Sequence, residues 1–228
     1  MVVLQSDQTL ENDFQRLLPT DKIIQHVTRL PSDREVTFET LSAMQQSLPQ
    51  AVSLFPQAAR FDVVGYGCTS GTSVIGQDNI AKLINAGCKT NAVTEPVSAL
   101  IAACKKLDLK NIAFLSPYVE EVSATLRATL QQNGINTPVF GSFNEDQEEK
   151  VVRIDKASIF NAAVQLAEAD EVEGIFLSCT NLKTLDVIAD IEAAVNKPVL
   201  SSNQVLAWHL CALASVDLKA KGMGVLLA

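Results

Sequence analysis

The sequence predicts an α/β fold built on parallel sheets, and three observations lead to this prediction. Short β-branched or apolar runs alternate along the chain with longer segments of helical period. A strand-turn-helix pattern that contains a Cys-Thr pair occurs twice, which divides the chain into two similar halves. The chain has 228 residues and is 47% hydrophobic, so it can bury a substantial core.

Seven segments have strand character because β-branched and apolar residues are concentrated between polar turns. Helical patterns follow most of them, as expected when neighbouring strands of a sheet run parallel and need crossover connections. The predicted strands are residues 2–5, 26–30, 61–65, 111–115, 138–141, 174–178 and 198–201.

The segment 96–107 is predicted to be a crossover helix. It opens with a proline, which suits a first helical position, and it ends in lysines, which suit a helix C-terminus. Its helical period places Val97, Leu100, Ile101 and Cys104 on one face. Similar helical patterns cover residues 118–134, with a glycine cap at the end, 158–170 and 184–196.

Composition excludes several classes of protein. The net charge is −8 with no basic cluster, so nucleic acid is not an expected partner. No stretch approaches the roughly 18 apolar residues of a membrane span, and the N-terminus lacks a signal-peptide pattern. We therefore expect a soluble, cytoplasmic protein that does not associate with membranes. Its five cysteines include no C-x-x-C pair, so free thiols are expected rather than disulfides or a metal site.

The repeated pattern is carried by two cysteines. FDVVGYGCTSGTSVIG, residues 61–76, resembles VEGIFLSCTNLKTLDVI, residues 172–188: an apolar strand, a small residue, Cys-Thr, a polar residue and then a helix. Cys68 and Cys179 are 179 − 68 = 111 positions apart, close to half the chain. We interpret this as a weak internal repeat.

Two such halves facing each other would form a cleft at the carboxyl ends of their strands, which is where parallel sheets bind ligands. Each half also has an earlier strand followed by a polar turn and a helix, in residues 2–14 and 111–122. The cleft would then receive four side chains: Asp7, Cys68, Tyr118 and Cys179.

The residues after each cysteine are suited to binding an anion. Unpaired backbone N–H groups at a helix start favour a carboxylate and stabilise a thiolate, so we expect a lowered cysteine pKa. Thr69, Ser70, Thr180 and Asn181 are the candidate substrate-binding residues in these two turns. Two thiols on opposite sides of one carbon acid could exchange acid and base roles, or divide into nucleophile and acid.

Four motifs in order, GYGCTSGTSVIG, LSPYVEEV, GIFLSCTNLKTLDVI and KPVLSSNQVLAWHL, resemble the maleate cis-trans isomerase and arylmalonate decarboxylase branch of the aspartate/glutamate racemase superfamily. The resemblance implies two flavodoxin-like lobes related by pseudo-twofold symmetry, a homo-oligomer and a mechanism without cofactor or metal. It implies that Cys68 is a nucleophile and Cys179 an acid/base, as in the isomerases, whereas in the racemases both act as acid/base. The expected lobes are 1–105 with 206–228, and 106–205.

The chain departs from the family pattern at several positions. Arylmalonate decarboxylases lack a cysteine on the first lobe, so Cys68 disfavours decarboxylation. Tyr118 matches the isomerases and could bind a substrate carboxylate. Asp7 stands where maleate isomerases have asparagine, which favours an amino-acid racemase as an alternative to an isomerase of a small carboxylic acid. Gln147 corresponds to a second asparagine of the isomerases, with an alignment uncertain by about one position. A binding protein without activity is a further alternative.

Other polar and thiol side chains have simpler interpretations. Cys88, Cys104 and Cys211 are expected to be small buried hydrophobes. The two histidines, His26 and His209, lie within apolar patterns and are not expected to be catalytic. Asp7 could also cap the helix that begins near Thr9, and the charged run 144–150 reads as a solvated loop or helix start.

Overall fold

The computed structural model describes all residues, 1–228, and contains two four-stranded parallel sheets. The first has the order β2-β1-β3-β4 and the second the order β6-β5-β7-β8, so both halves share one topology. The predicted α/β fold with two similar halves is confirmed. The strands are β1 (Val2–Leu4), β2 (Thr28–Leu30), β3 (Arg60–Gly67), β4 (Lys89–Thr94), β5 (Ile112–Tyr118), β6 (Phe140–Glu145), β7 (Gly174–Leu177) and β8 (Val199–Ser201).

All seven predicted strands are present, and the structure adds an eighth, β4, which the sequence does not predict. β4 lies at the edge of the first sheet, next to β3. Lys89 and Asn91 of this strand are exposed, so its sequence lacks the continuous apolar run of a central strand. By contrast, every residue of β5 is buried.

Ten α-helices and a short 3₁₀ helix surround the sheets. The predicted helix 96–107 is present, and those at 118–134, 158–170 and 184–196 are present in shortened form. Tyr118 is the last residue of β5, so the helix after it begins at Glu120. The helices are α1 (Leu10–Leu17), α2 (Phe38–Ser53), α3 (Thr69–Ile75), α4 (Gln77–Gly87), α5 (Pro96–Lys106), α6 (Glu120–Gln132), α7 (Glu148–Val151), α8 (Lys156–Leu166), α9 (Ile188–Val195) and α10 (Ser202–Leu213), and the 3₁₀ helix is Val225–Leu227.

The C-terminal helix α10 connects the two halves. It begins directly after β8 of the second sheet and packs against α5 and β3 of the first half. A capping box at Ser201 and Gln204 fixes its start. None of the helices combines the length and apolar character needed to cross a bilayer.

Candidate active site

The predicted cleft exists as a narrow cavity at the carboxyl ends of the central strands. It measures about 10 Å³, room for about one water molecule, so a substrate must displace side chains to enter. A larger apolar cavity of about 490 Å³ lies at the opposite, amino end of the first sheet and contains none of the predicted site residues. The lining residues of the narrow cavity are Leu4, Ser6, Asp7, Cys68, Thr69, Ser70, Tyr118, Glu148, Cys179, Thr180 and Asn181.

Cys68 follows β3 directly and is the N-cap residue of α3. Its sulfur accepts a hydrogen bond from the Gly71 backbone N–H at 3.2 Å. Burial raises the pKa of this thiol to about 12; the Gly71 N–H opposes the shift, and the nearby Glu148 and Asp7 add to it. The expectation of a lowered pKa is wrong, because desolvation outweighs the helix start in this site.

Position 71 requires glycine because there is no room beside Cys68 for a larger side chain. A Cβ on Gly71 would lie 2.6 Å from the Tyr66 hydroxyl, 2.8 Å from Met44 Cε and 3.0 Å from the Cys68 sulfur. The small residues of the GYGCTSGTS stretch therefore make room for the sulfur and a neighbouring aromatic ring.

Cys179 occupies a strained turn rather than a helix start. Its φ is 110°, in the region that favours glycine, and α9 begins only at Ile188. The expectation that Cys179 lies at a helix start is wrong, although the helix predicted at 184–196 is present from Ile188. The sulfur accepts a hydrogen bond from the Asn181 N–H at 3.3 Å and lies 3.0 Å from the Tyr118 hydroxyl. Burial raises the pKa of this thiol well above its usual value, with Glu148 contributing in the same direction.

The two carboxyl oxygens of Asp7 differ in their hydrogen bonding. Oδ1 accepts hydrogen bonds from the backbone N–H groups of Thr9 and Leu10, both at 2.8 Å, so this oxygen stabilises the start of α1. Oδ2 is buried and has no hydrogen-bond partner. Burial raises the pKa of the carboxyl. The capping role and the cavity-lining position therefore coexist in one side chain.

Glu148 lines the cavity but is not among the residues that the sequence predicts for it. It is the first residue of α7, and its side chain is buried. Tyr118 donates a hydrogen bond to Oε1 at 2.5 Å, and the Asn181 side-chain amide donates to Oε2 at 2.9 Å. Burial raises the pKa of Glu148.

Gln147, a predicted substrate-binding residue, does not line the cavity. It is half-buried and bridges to Glu35 as an isolated antiparallel pair. The neighbouring Glu148 takes the place expected for Gln147, within the one-position uncertainty of the alignment. The charged run 144–150 is thus a strand end and a helix start whose one buried carboxyl reaches the site.

Asn181 joins the two halves at the cavity. Its Oδ1 accepts from the Gln8 N–H at 2.9 Å, and its backbone carbonyl accepts from the Thr9 hydroxyl at 2.9 Å. Asn203 supports the same turn from behind, since its amide donates to the Thr180 carbonyl and to Asp13, both at 2.8 Å. The turn after β7 is therefore fixed against the turn after β1.

Ser202 connects the two cysteine turns. Its hydroxyl accepts hydrogen bonds from the Cys179 N–H at 3.0 Å and from the Thr69 hydroxyl at 2.8 Å. The Thr180 hydroxyl donates to the Gly67 carbonyl at 3.4 Å. Ser70 lines the cavity beside Thr69.

The remaining candidates lie outside the cavity. All five cysteines are free thiols, with Cys104 and Cys211 buried and Cys88 half-buried. His209 interacts with the Thr94 hydroxyl at 2.7 Å, and His26 packs edge-on against Phe61. No group of three or more His, Cys, Asp or Glu side chains is arranged to hold a metal ion.

Comparison with solved structures shows the same fold over the whole chain. A maleate isomerase from Pseudomonas putida S16 matches with a TM-score of 0.86 and 23% identity, covering 99% of this chain and 96% of that one. A Nocardia farcinica maleate cis-trans isomerase mutant with a covalently bound succinylcysteine intermediate matches with a TM-score of 0.88 and 22% identity, covering 99% and 96%.

Sequence comparison finds maleate isomerases again, and also an arylmalonate decarboxylase. A maleate isomerase of Pseudomonas putida is 24% identical to this chain. The alignment covers 100% of this chain and 95% of the isomerase. An arylmalonate decarboxylase of Bordetella bronchiseptica is 29% identical over 54% of this chain. This match spans about half, 52%, of the length of the decarboxylase. The family model of arylmalonate decarboxylase matches residues 76–227, which is about two thirds of this chain. The chain therefore belongs to the arylmalonate decarboxylase family.

Proposed function

We propose that this protein is a cofactor-independent isomerase that acts on a small dicarboxylic acid through Cys68 and Cys179, most like a maleate cis-trans isomerase. The observation that carries the proposal is the meeting of both thiols in one buried cavity between two halves of equal topology. The presence of maleate isomerases among its full-length relatives supports the choice of reaction.

The first step is addition of a thiolate to the alkene. Cys68 passes its proton to solvent, and the sulfur forms a bond to one alkene carbon, while the alkene electron pair moves to the other carbon and its carboxylate. The bond between the two carbons is then single and can rotate. A succinylcysteine intermediate of this kind is described for the Nocardia farcinica maleate cis-trans isomerase mutant.

The second step restores the alkene. Cys179 protonates the carbanionic carbon and later removes a proton from it. The electron pair left on that carbon re-forms the alkene and breaks the Cys68 carbon–sulfur bond, the Cys68 thiolate takes back a proton from solvent, and the trans acid leaves. No atom or electron is gained or lost over the cycle, consistent with an isomerisation. Because burial raises the pKa of both thiols, the resting site holds them as thiols, and deprotonation belongs to the step in which substrate is bound.

The experiment that tests this function follows maleate and fumarate by proton NMR with the wild-type protein and a Cys68→Ser, Cys179→Ser double variant. We expect conversion by the wild type without any added cofactor and none by the double variant. Full activity in the double variant would refute the mechanism. An inactive wild type on maleate would move the proposal to another dicarboxylate, beginning with substituted maleates.

The two alternatives are less well supported. The similar proteins are named for maleate and arylmalonate rather than for amino acids, so they do not favour a racemase of amino acids. The retention of both thiols disfavours a binding protein without activity. A cytoplasmic location, a homo-oligomer and the lobe limits 1–105 with 206–228 and 106–205 stay predictions; light scattering on the purified protein would test the oligomer.

A further inference from the structure

The cavity is lined by two buried carboxyl groups and by no positively charged side chain. Asp7 and Glu148 line it and are only 4% and 7% exposed. None of the lining residues is a lysine, arginine or histidine. A dicarboxylate that enters this cavity would thus bring two more negative charges to a site that has no positive side chain to receive them.

The two carboxyls are not neutralised from outside the cavity. Arg29 favours the charged form of Asp7, but its guanidinium donates to the carbonyls of Leu4 and Asp7 and pairs with Glu11. Asp7 and Glu148 also raise each other's energy when both are charged. The titratable groups that face the pair are Arg29, Asp13, Tyr118, Cys68 and Cys179.

The hydrogen bonds of the two carboxyls differ, and the difference indicates where a proton belongs. Both oxygens of Glu148 accept hydrogen bonds, from Tyr118 and Asn181. Only Oδ1 of Asp7 does so: no group donates to the buried Oδ2 within hydrogen-bond geometry, although the Thr180 hydroxyl is close enough to the carboxyl to oppose the rise in its pKa. A protonated Oδ2 would give Asp7, a residue that lines the cavity, a hydrogen-bond donor, as an asparagine amide would.

We infer that the cavity binds a dicarboxylate together with about one proton, and that Asp7 in its carboxylic-acid form donates a hydrogen bond from Oδ2 to a substrate carboxylate. The inference rests on the proposed function for the substrate class. The proton comes from solvent and converts the Asp7 carboxylate to the acid, and no bond of the ligand changes. Burial already favours the neutral form of both carboxyls, and a bound dianion favours it further.

Calorimetric titration with succinate tests the inference without turnover, since succinate is a dicarboxylate that has no alkene to isomerise. Titrations at pH 6, 7 and 8 in buffers of different ionisation enthalpy give the number of protons taken up. We expect uptake of about one proton and a Kd that rises by up to about tenfold per pH unit. Uptake of no proton, tighter binding at high pH, or no binding at pH 6 would overturn the inference.

The variant Asp7→Asn isolates the proposed donor. Its Oδ1 can still accept from the N–H groups of Thr9 and Leu10, while its amide nitrogen replaces Oδ2 as a permanent donor. We expect this variant to bind succinate at least about tenfold more tightly than wild type at pH 8, without proton uptake. Glu149→Gln, a neighbouring exposed carboxyl paired with Arg34, is the control and should behave as wild type.

A second variant and a second ligand keep the test decisive. If Asp7→Asn does not fold, proton uptake on succinate binding is compared between the wild type and Glu148→Gln. Uptake that persists in Glu148→Gln supports Asp7 as the proton acceptor. Absence of uptake in Glu148→Gln refutes that role of Asp7. Aspartate binding more tightly than succinate at pH 8 without proton uptake would also refute the inference, because a charged carboxyl pair would then bind an ammonium group. Failure of the isomerase proposal would appear separately, as no turnover of maleate despite proton-linked binding of succinate.

Discussion

The Tyr118 hydroxyl donates a hydrogen bond to the Glu148 carboxyl over 2.5 Å. The same hydroxyl lies 3.0 Å from the sulfur of Cys179. Because its only O–H is used toward Glu148, it can meet the thiol only as an acceptor of the S–H. A continuous path of hydrogen bonds therefore leads from the proposed acid/base thiol to a buried carboxyl.

Replacing Tyr118→Phe interrupts this path, and we expect kcat/KM for maleate to fall by about 10²-fold. The loss of the hydroxyl removes the partner of one Glu148 oxygen and one of the two partners of the Cys179 sulfur, which keeps the Asn181 N–H. Steady-state kinetics on the single variants Tyr118→Phe and Glu148→Gln and on their double variant measure the effect. If the two residues act as a unit, the double variant should be little worse than the poorer single variant. Unchanged activity in Tyr118→Phe would contradict the role of the path.

The sequence predicts most of the fold because its signals are local. Apolar runs and helix-end residues suffice for seven strands and for helix α5. β4 was missed because edge position, which depends on the whole sheet, permits its polar residues. Cys68 and Cys179 predict the cavity, because the repeated pattern that contains them places each cysteine at the end of a strand. Neither the φ of 110° at Cys179 nor the burial of Glu148 has a local signal, because both depend on the packing of one half against the other.

Tyr66 carries a second buried hydroxyl, which has no partner within hydrogen-bond geometry although the Cys68 thiol is its neighbour. An unsatisfied buried polar group costs about 1–3 kcal/mol, so Tyr66→Phe is expected to keep or raise the free energy of unfolding. Urea denaturation measures the change. A loss of stability would mean that the hydroxyl has a partner in solution, and Cys68, on the same strand end, would be the first to examine.

The variant Gly71→Ala tests the crowding beside Cys68. Since a Cβ would meet the Tyr66 hydroxyl at 2.6 Å, we expect overpacking to lower the free energy of unfolding by about 1–3 kcal/mol. Combining it with Tyr66→Phe should recover part of this loss by removing the nearest atom. Equal destabilisation in both backgrounds, measured by urea denaturation, would show that the hydroxyl is not the obstacle.

Asp13 should make stability fall as the pH rises. Burial raises its pKa from 3.8 to about 6, so the native state holds a proton that the unfolded chain releases between these values. Stability from this group is therefore lost from about pH 4 to about pH 6. Asp13→Asn does not titrate here, so the free energy of unfolding of the variant minus that of the wild type should increase by about 3 kcal/mol between pH 4 and pH 7. Urea titrations of both proteins measure this difference. Parallel pH profiles of the two proteins would contradict this.

The central claim, that Cys68 is the nucleophile and Cys179 its acid/base partner, is tested most directly by mass spectrometry of the Cys179→Ser variant mixed with maleate. Without the partner thiol, the adduct should accumulate, and peptide mapping should place one added maleate on the peptide that contains Cys68. The reciprocal Cys68→Ser variant should show none. An adduct on Cys179 in the reciprocal variant, or none on Cys68, would contradict the assignment.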